Sequence, residues 1–149
     1  MKTRYGLEIR GATAADAQGI CDLMTGAGWA VSSAVSAARL NAMRQGPCAL
    51  LVAAEWGPPV GLVALHWYSA LEADQPTAQI TSLLVAPPER RRGIGRLLVK
   101  AAAQTARVAG CGSMELLLAS DAADLVAFGS ASGLTELGRR LVRPLRKKA

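Results

Sequence analysis

A basic turn that contains two glycines is the part of this chain best suited to chemistry. Arg90, Arg91 and Arg92 precede Gly93 and Gly95 in the sequence ERRRGIGR. Glycine has no Cβ, so a phosphate oxygen can approach the main chain, and arginine adds charge-assisted hydrogen bonds. The free N–H groups at the start of a following helix favour the same anion. The turn therefore predicts a phosphate-binding site.

A strand and a long helix must position this turn. Residues 79–85 read QITSLLV, which is typical of a strand, and apolar residues recur at helical spacing over residues 94–108. Two common phosphate motifs do not fit. The P-loop requires Lys-Ser or Lys-Thr where Arg96 and Leu97 stand, and the dinucleotide fingerprint requires a third glycine at Leu98.

The pattern Arg-x-x-Gly-x-Gly, after a strand that reads Leu-Leu-Val-x-Pro, closely resembles the acyl-CoA-binding motif of the GNAT N-acetyltransferase family. The resemblance implies that the end of the strand lines the pantetheine arm of coenzyme A and that the turn holds its pyrophosphate. Acetyl-CoA is therefore expected as co-substrate, with no metal. The residues implied to bind it are Leu83, Leu84, Val85, Arg90, Arg91, Arg92, Gly93, Ile94, Gly95, Arg96, Asp121 and Phe128.

The order of predicted elements follows that family over nearly the whole chain. Strands are predicted at residues 6–10, 48–55, 60–68, 79–85 and 114–119, with one or two more in 134–145; helices are predicted from Thr13, over 33–44, over 94–108 and after Asp121. We therefore predict an α/β fold of the α+β type. A central mixed, mostly antiparallel sheet of six to seven strands is flanked by about four helices, in a single GNAT-like domain spanning residues 1–149 with a splayed acyl-CoA-binding strand.

The sequence departs from the family at the proton donor. Transfer of an acetyl group to an amine requires a neutral amine, a donor for the tetrahedral oxyanion and a proton for the departing thiolate. By resemblance, the backbone N–H near Leu83 is the oxyanion donor. The tyrosine that commonly supplies the proton is replaced by Gly129, so hydroxyl groups at Ser120, Ser130 or Ser132 are the alternatives.

The general base is also missing from its usual place. The strand glutamate of many family members corresponds to Gln79 or Thr81, and neither side chain is a base at pH 7, although either can orient water or substrate. His66 and Tyr68 share a strand face that can look toward the acceptor cleft. Histidine suits proton transfer near neutral pH, and a structural hydrogen-bonding role is the alternative.

Other positions also have two interpretations. Glu72 and Asp74 lie in the loop before the central strand, where they either attract a cationic amine or are simply solvated. Trp29 is either a wall of the acceptor pocket or part of the core. Glu115 falls in a buried-looking strand, so it must either reach solvent at an edge or find a partner.

Composition and charge indicate which classes of binding partner to expect. The net charge of +6 is concentrated in residues 90–96 and 139–148, and the chain has six aromatic residues, a distribution that does not favour nucleic acid. No apolar run is long enough to span a membrane, and the N-terminus lacks a signal-peptide core. The three cysteines are scattered without metal-ligand spacing, which indicates reduced thiols. We expect a cytoplasmic protein, without a membrane partner, and a homodimer is possible.

These observations predict an N-acetyltransferase that transfers an acetyl group from acetyl-CoA to a primary amine of a small molecule or peptide. A catalytically inactive acyl-CoA-binding sensor or interaction module is the alternative, because the usual tyrosine and strand glutamate are both absent. Polyamines, aminoglycosides, amino acids and protein amines all remain open as acceptors.

Overall fold

The computed structural model describes residues 6–29, 37–118 and 123–146. The strands are β1 (Glu8–Gly11), β2 (Cys48–Ala54), β3 (Gly61–Tyr68), β4 (Thr77–Val85) and β5 (Ser113–Leu116). The helices are α1 (Ala17–Gly26), α2 (Ala37–Gln45), α3 (Ile94–Val108) and α4 (Ala123–Ala131), and short 3-10 turns at Ala14–Asp16 and Pro87–Glu89 precede α1 and α3.

The five strands form one mixed sheet in the order β1-β2-β3-β4-β5. The first three pairings are antiparallel, and β4 pairs with β5 in parallel. A parallel pair needs a crossover connection, and α3 provides it. The predicted mixed, mostly antiparallel sheet with about four helices is confirmed.

Both faces of the sheet are buried in its centre. On one face, α3 packs Ile94 and Leu98 against Val63, Leu65 and Ile80. On the other face, α1 and α2 cover a second apolar cluster, which contains Ile20, Leu23, Leu40, Val52, Leu62 and Leu84. Successive strand residues point to opposite faces, so adjacent apolar residues in β2, β3 and β4 supply both clusters.

The entry to α1 is fixed by a buried carboxylate. Asp16 accepts hydrogen bonds from the Thr13 N–H at 2.8 Å and from both guanidinium nitrogens of Arg10 at 2.7 and 2.9 Å. Thr13 and Asp16 form a capping box, which agrees with the helix start predicted at Thr13. The Arg10 partner, with help from the Thr13 N–H, lowers the pKa of Asp16 to about 2. This contact joins β1 to the start of α1.

The predicted strands in residues 134–145 do not form, so the sheet has five strands among the described residues rather than six or seven. Apolar residues there recur at three- and four-residue intervals rather than in alternation, Gly138 takes a φ of +70°, and Pro144 lacks an N–H. Leu137, Leu141 and Leu145 are consequently at least 90% exposed.

Other boundaries differ by smaller amounts. The strand predicted over residues 114–119 is the shorter β5, and residue 119 lies outside the described ranges. The helix predicted over 33–44 is observed from Ala37, and residues 30–36 are likewise outside them. Cys21, Cys48 and Cys111 are free and half-buried. In the described ranges, no helix combines the length and hydropathy needed to cross a membrane.

Candidate active site

Strands β4 and β5 run side by side for four residues and then separate. Their pairing runs from Thr77 with Ser113 to Ile80 with Leu116, where β5 ends, whereas β4 continues to Val85. The pairing of β4 with β3 shifts register between Ala64 and Leu65, so β4 is irregular close to the point where β5 ends. Within the described residues, the outer edge of β4 from residue 81 to 85 therefore has no strand beside it.

The backbone of Leu83 faces this open edge. Ala86 donates its N–H to the Val60 carbonyl at 2.8 Å, on the side of β3. Because backbone groups of successive strand residues point to opposite edges, Val85 and Leu83 direct their N–H and C=O groups away from β3. The carbonyl of Val85 accepts a hydrogen bond of 3.1 Å from Arg90 Nε. The Leu83 N–H is thus available to a ligand lying along β4.

Beyond β4, residues 90–95 form what we call the arginine turn. Arg91 and Gly93 both have left-handed backbone conformations, with φ of +64° and +79°, and Gly93 is the N-cap of α3. Left-handed residues set between ordinary ones turn neighbouring N–H groups toward a common point, which makes an anion-binding concavity. The positive end of the α3 dipole adds to this preference.

The four arginines of this region have different partners. Arg92 pairs with Glu55 at 3.0 Å and with Glu89. Arg90 donates to the Val85 carbonyl at the end of β4. Arg96 donates to the Ala131 carbonyl at 3.2 Å, which joins α3 to α4. Arg91 makes no side-chain contact of this kind within the described residues, so its charge is the one most available to an anion.

Gly95 is required by packing rather than by backbone conformation. A Cβ at this position would lie 3.2 Å from the nearest carbon of the Phe128 ring. The ring therefore packs directly on the first turn of α3 and fixes α4 there. Gly129 is different, because a Cβ at that position would meet no atom within 4 Å.

A groove of about 850 Å³ leads away from the arginine turn along α3, and we call it the α3 groove. It runs between α3, β5 and the residues that follow α4. Its lining includes Arg92, Arg96, Lys100, Arg107, Met114 and Ser132. The hydroxyl of Ser132 is buried without a hydrogen-bond partner in the described part of the chain. The groove is therefore positively charged along one side.

On the sheet face that carries α1 and α2, six polar residues form two rows across β3, β4 and β5. One row consists of Tyr68, Thr77 and Ser113, and the other consists of His66, Gln79 and Glu115. We call the six residues together the polar patch. The side chains make contact along the rows, since the Thr77 and Ser113 hydroxyls lie 3.3 Å apart and the Gln79 amide donates to Glu115 at 3.1 Å. The patch ends where β4 and β5 separate.

Glu115 is the anionic centre of the polar patch. Its side chain is exposed, and its two oxygens lie 3.4 and 3.5 Å from the Tyr68 hydroxyl. Partial burial and the negative charge of Glu115 raise the pKa of Tyr68 above its ordinary value of 10.0, so the phenol stays protonated and donates.

Residues 21–129 match the sequence profile described as the Acetyltransferase (GNAT) family. The chain belongs to this family. An acetyltransferase from Trypanosoma brucei is similar in structure, with 20% identity, a TM-score of 0.79, and coverage of 93% of this chain and 99% of the other. A glucosamine-6-phosphate N-acetyltransferase from Arabidopsis thaliana gives 15% identity, a TM-score of 0.80, and coverage of 94% and 99%.

A third similar structure is that of AAC(6')-Iy, solved with the bisubstrate analogue CoA-S-monomethyl-acetylneamine. It is 18% identical to this GNAT protein, with a TM-score of 0.80 and coverage of 95% and 99%. At these identities the structures establish the shared fold and nothing finer. A search of curated proteins found no match.

In this GNAT protein the predicted catalytic residues do not all lie together. His66 and Tyr68 share the polar patch, with ring centroids 5.9 Å apart. Thr81 lies at the irregularity of β4, where its hydroxyl donates to the Ala64 carbonyl at 3.4 Å. Ser130 is exposed on α4, and Trp29 is 36% exposed after α1. Asp121 and Ser120 lie outside the described residues.

Sequence reasoning did not identify Glu115 as a site residue. Its strand looked buried, but β5 is at the edge of the sheet among the described residues, and its residues alternate between exposed and half-buried. The available signal was the charge itself, in a strand that otherwise reads as apolar. What the sequence could not supply was the register that sets Glu115 beside Gln79.

Proposed function

We propose that this GNAT protein is an N-acetyltransferase that transfers an acetyl group from acetyl-CoA to a primary amine of a small molecule or peptide. The observation that carries the proposal is the open edge of β4 directly before the arginine turn. Main-chain groups of Leu83 and Val85 can hydrogen-bond an extended amide-containing arm, as a neighbouring strand would. The arginine turn then lies where a pyrophosphate at the end of that arm needs donors.

The charges around the turn support a polyanionic co-substrate. Arg91 has no competing partner among the described residues, and Arg96 and Lys100 continue the positive charge along the α3 groove. Charged hydrogen bonds to phosphate are worth about 1.5–3 kcal/mol each. This arrangement favours coenzyme A over a neutral ligand of similar length.

Direct attack requires few groups from the protein. The amine nitrogen forms a bond to the thioester carbonyl, and we propose that the Leu83 N–H, which points away from β3, stabilises the resulting oxyanion. Collapse of the intermediate breaks the carbon–sulfur bond, and the thiolate takes a proton. The pKa of an ordinary thiol is about 8.5, so this leaving group tolerates the absence of a tyrosine at position 129.

The test is release of free thiol from acetyl-CoA in the presence of a panel of primary amines, which includes a polyamine, an aminoglycoside and a lysine peptide. We expect release with at least one of them, together with an acetylated product by mass spectrometry. The trimethylated form of each amine is the matched control, because it keeps the positive charge but has no N–H to replace. Coenzyme A binding without thiol release from any amine would favour the inactive binding module.

A further inference from the structure

We propose that Glu115 is the proton acceptor for the acceptor amine and that the preferred substrate is consequently a protonated alkyl amine. The inference rests on the proposed function. It assigns the base that β4 itself lacks, since Gln79 and Thr81 have no titratable side chain. The carboxylate is supplied instead by the neighbouring strand.

The position of Glu115 in the sheet is the first argument. It lies directly across from Gln79 at the second-to-last paired position of β4 and β5, one residue before the strands separate. Leu83 is four residues further along β4, which at about 3.3 Å per residue is about 13 Å along the strand. An amine that attacks a carbonyl held by the Leu83 N–H is therefore too far from Glu115 for direct contact, and its proton reaches the carboxylate through water molecules in the space where β4 and β5 separate.

The contacts of Glu115 are the second argument. Both hydrogen bonds come from neutral donors, the Gln79 amide and the Tyr68 hydroxyl, so they fix the carboxylate without neutralising its charge. Within residues 6–29, 37–118 and 123–146, no lysine or arginine forms an ion pair with it. Two carboxylate oxygens offer about four acceptor positions, and the observed donors do not use them all.

The surroundings of the carboxylate also select for a cation. The titratable group in contact with Glu115 is Tyr68 of β3, and the His66 ring lies 5.9 Å from the Tyr68 ring. Glu72, in the loop between β3 and β4, adds a second negative charge near Tyr68. The four cationic side chains of the α3 groove line a different site. A positively charged amine is thus attracted to the polar patch, whereas coenzyme A is attracted to the arginine turn and the α3 groove.

The acceptor amine loses two protons in the proposed reaction. The acceptor ammonium passes one proton to the Glu115 carboxylate, and the freed lone pair forms the carbon–nitrogen bond at the thioester carbonyl. The carbon–sulfur bond breaks, and the nitrogen loses its second proton to the thiolate to give the amide and free coenzyme A. Glu115 then releases its proton to solvent.

The test compares Glu115→Gln with the wild type in the thiol-release assay across pH. Glutamine keeps the shape and can still accept from Gln79, so the variant should fold with an unchanged melting temperature. At pH 7 we expect kcat/KM for the amine to fall at least about 100-fold, with little change in the KM for acetyl-CoA. The deficit should shrink to less than about tenfold by about pH 9.5, where the neutral fraction of an alkyl amine is more than about a hundredfold larger than at pH 7.

Glu8→Gln is the matched control, because it removes the same charge from β1, at the opposite edge of the sheet from β5, and should change kcat/KM by less than about threefold. An active wild type whose Glu115→Gln variant keeps its rate and pH profile would overturn the inference and leave the proposed function standing. A uniform loss at every pH would also overturn it, since that indicates a structural role. If the wild type releases no thiol with any amine, the proposed function fails, and the role of Glu115 fails with it.

Discussion

At the scale of single residues, the backbone conformation of the arginine turn is the feature on which ligand binding depends. Gly93 has a φ of +79°, and a Cβ there would meet no atom within 4 Å. Gly93→Ala is therefore a test of conformation rather than of crowding. We expect a loss of about 1–2 kcal/mol in unfolding free energy and at least about tenfold weaker coenzyme A binding, measured by calorimetry.

Gly110, after the other end of α3, provides a matched control. Its φ is +87°, and its surroundings are equally open. Gly110→Ala should lose a similar amount of unfolding free energy and bind coenzyme A as the wild type does. Equal affinities in the two variants would mean that the arginine turn does not bind the pyrophosphate.

Gly129 offers a second residue-scale prediction. Gly129 is buried, but a Cβ there would meet no atom within 4 Å and tyrosine is a better helix former than glycine, so we expect Gly129→Tyr to fold, with a melting temperature close to that of the wild type. We expect turnover in the thiol-release assay to rise at least about tenfold if the phenol reaches the thiolate. Gly129→Phe is the control, because it adds the ring without the hydroxyl. Equal rates in the two variants would show that proton delivery does not limit turnover.

At the scale of elements, the link between β1 and α1 depends on the charge of Asp16. Its pKa is lowered from 3.8 to about 2 in the folded protein, which corresponds to about 2 kcal/mol of stability. Because the folded-state pKa is the lower one, this contribution is present above pH 4 and is lost as the pH falls toward 2. Asp16→Asn should therefore lower the unfolding free energy by about 2 kcal/mol at pH 7, measured by denaturant unfolding.

The pH dependence identifies the cause of that loss. The difference between Asp16→Asn and the wild type should narrow between about pH 4 and pH 2, where the wild-type carboxylate gains its proton. Asp22→Asn makes the same change at an exposed position on α1 and should cost less than about 0.5 kcal/mol. A pH-independent difference would mean that Asp16 acts through packing and not through its charge.

The elements near the centre of the chain could be predicted from sequence, and the last ones could not. Periodicity locates β3, β4 and α3 because both faces of the sheet and one face of the helix are buried there. The residues after Gly133 carry leucines without a strand period, and whether such a segment pairs depends on contacts that no local pattern encodes. The polar patch is a similar case, since Glu115 meets Gln79 through a parallel register set by the packing of α3.

At the scale of the whole molecule, the net charge of +6 must be separated from the local charge of the arginine turn. A general positive field would attract coenzyme A regardless of which arginine is removed. We expect Arg91→Gln to weaken coenzyme A binding by about tenfold or more, and Arg44→Gln, on α2, to leave the affinity nearly unchanged. Equal losses in the two variants would assign the binding to net charge alone.

The measurement that tests the central claim most directly is calorimetric titration of the full chain with acetyl-CoA at about 150 mM salt, where non-specific attraction to exposed basic residues is screened. The account predicts saturable binding of one acetyl-CoA per chain, and competition by free coenzyme A. An absence of saturable binding would contradict it, because the open edge of β4 and the arginine turn would then hold no acyl-CoA.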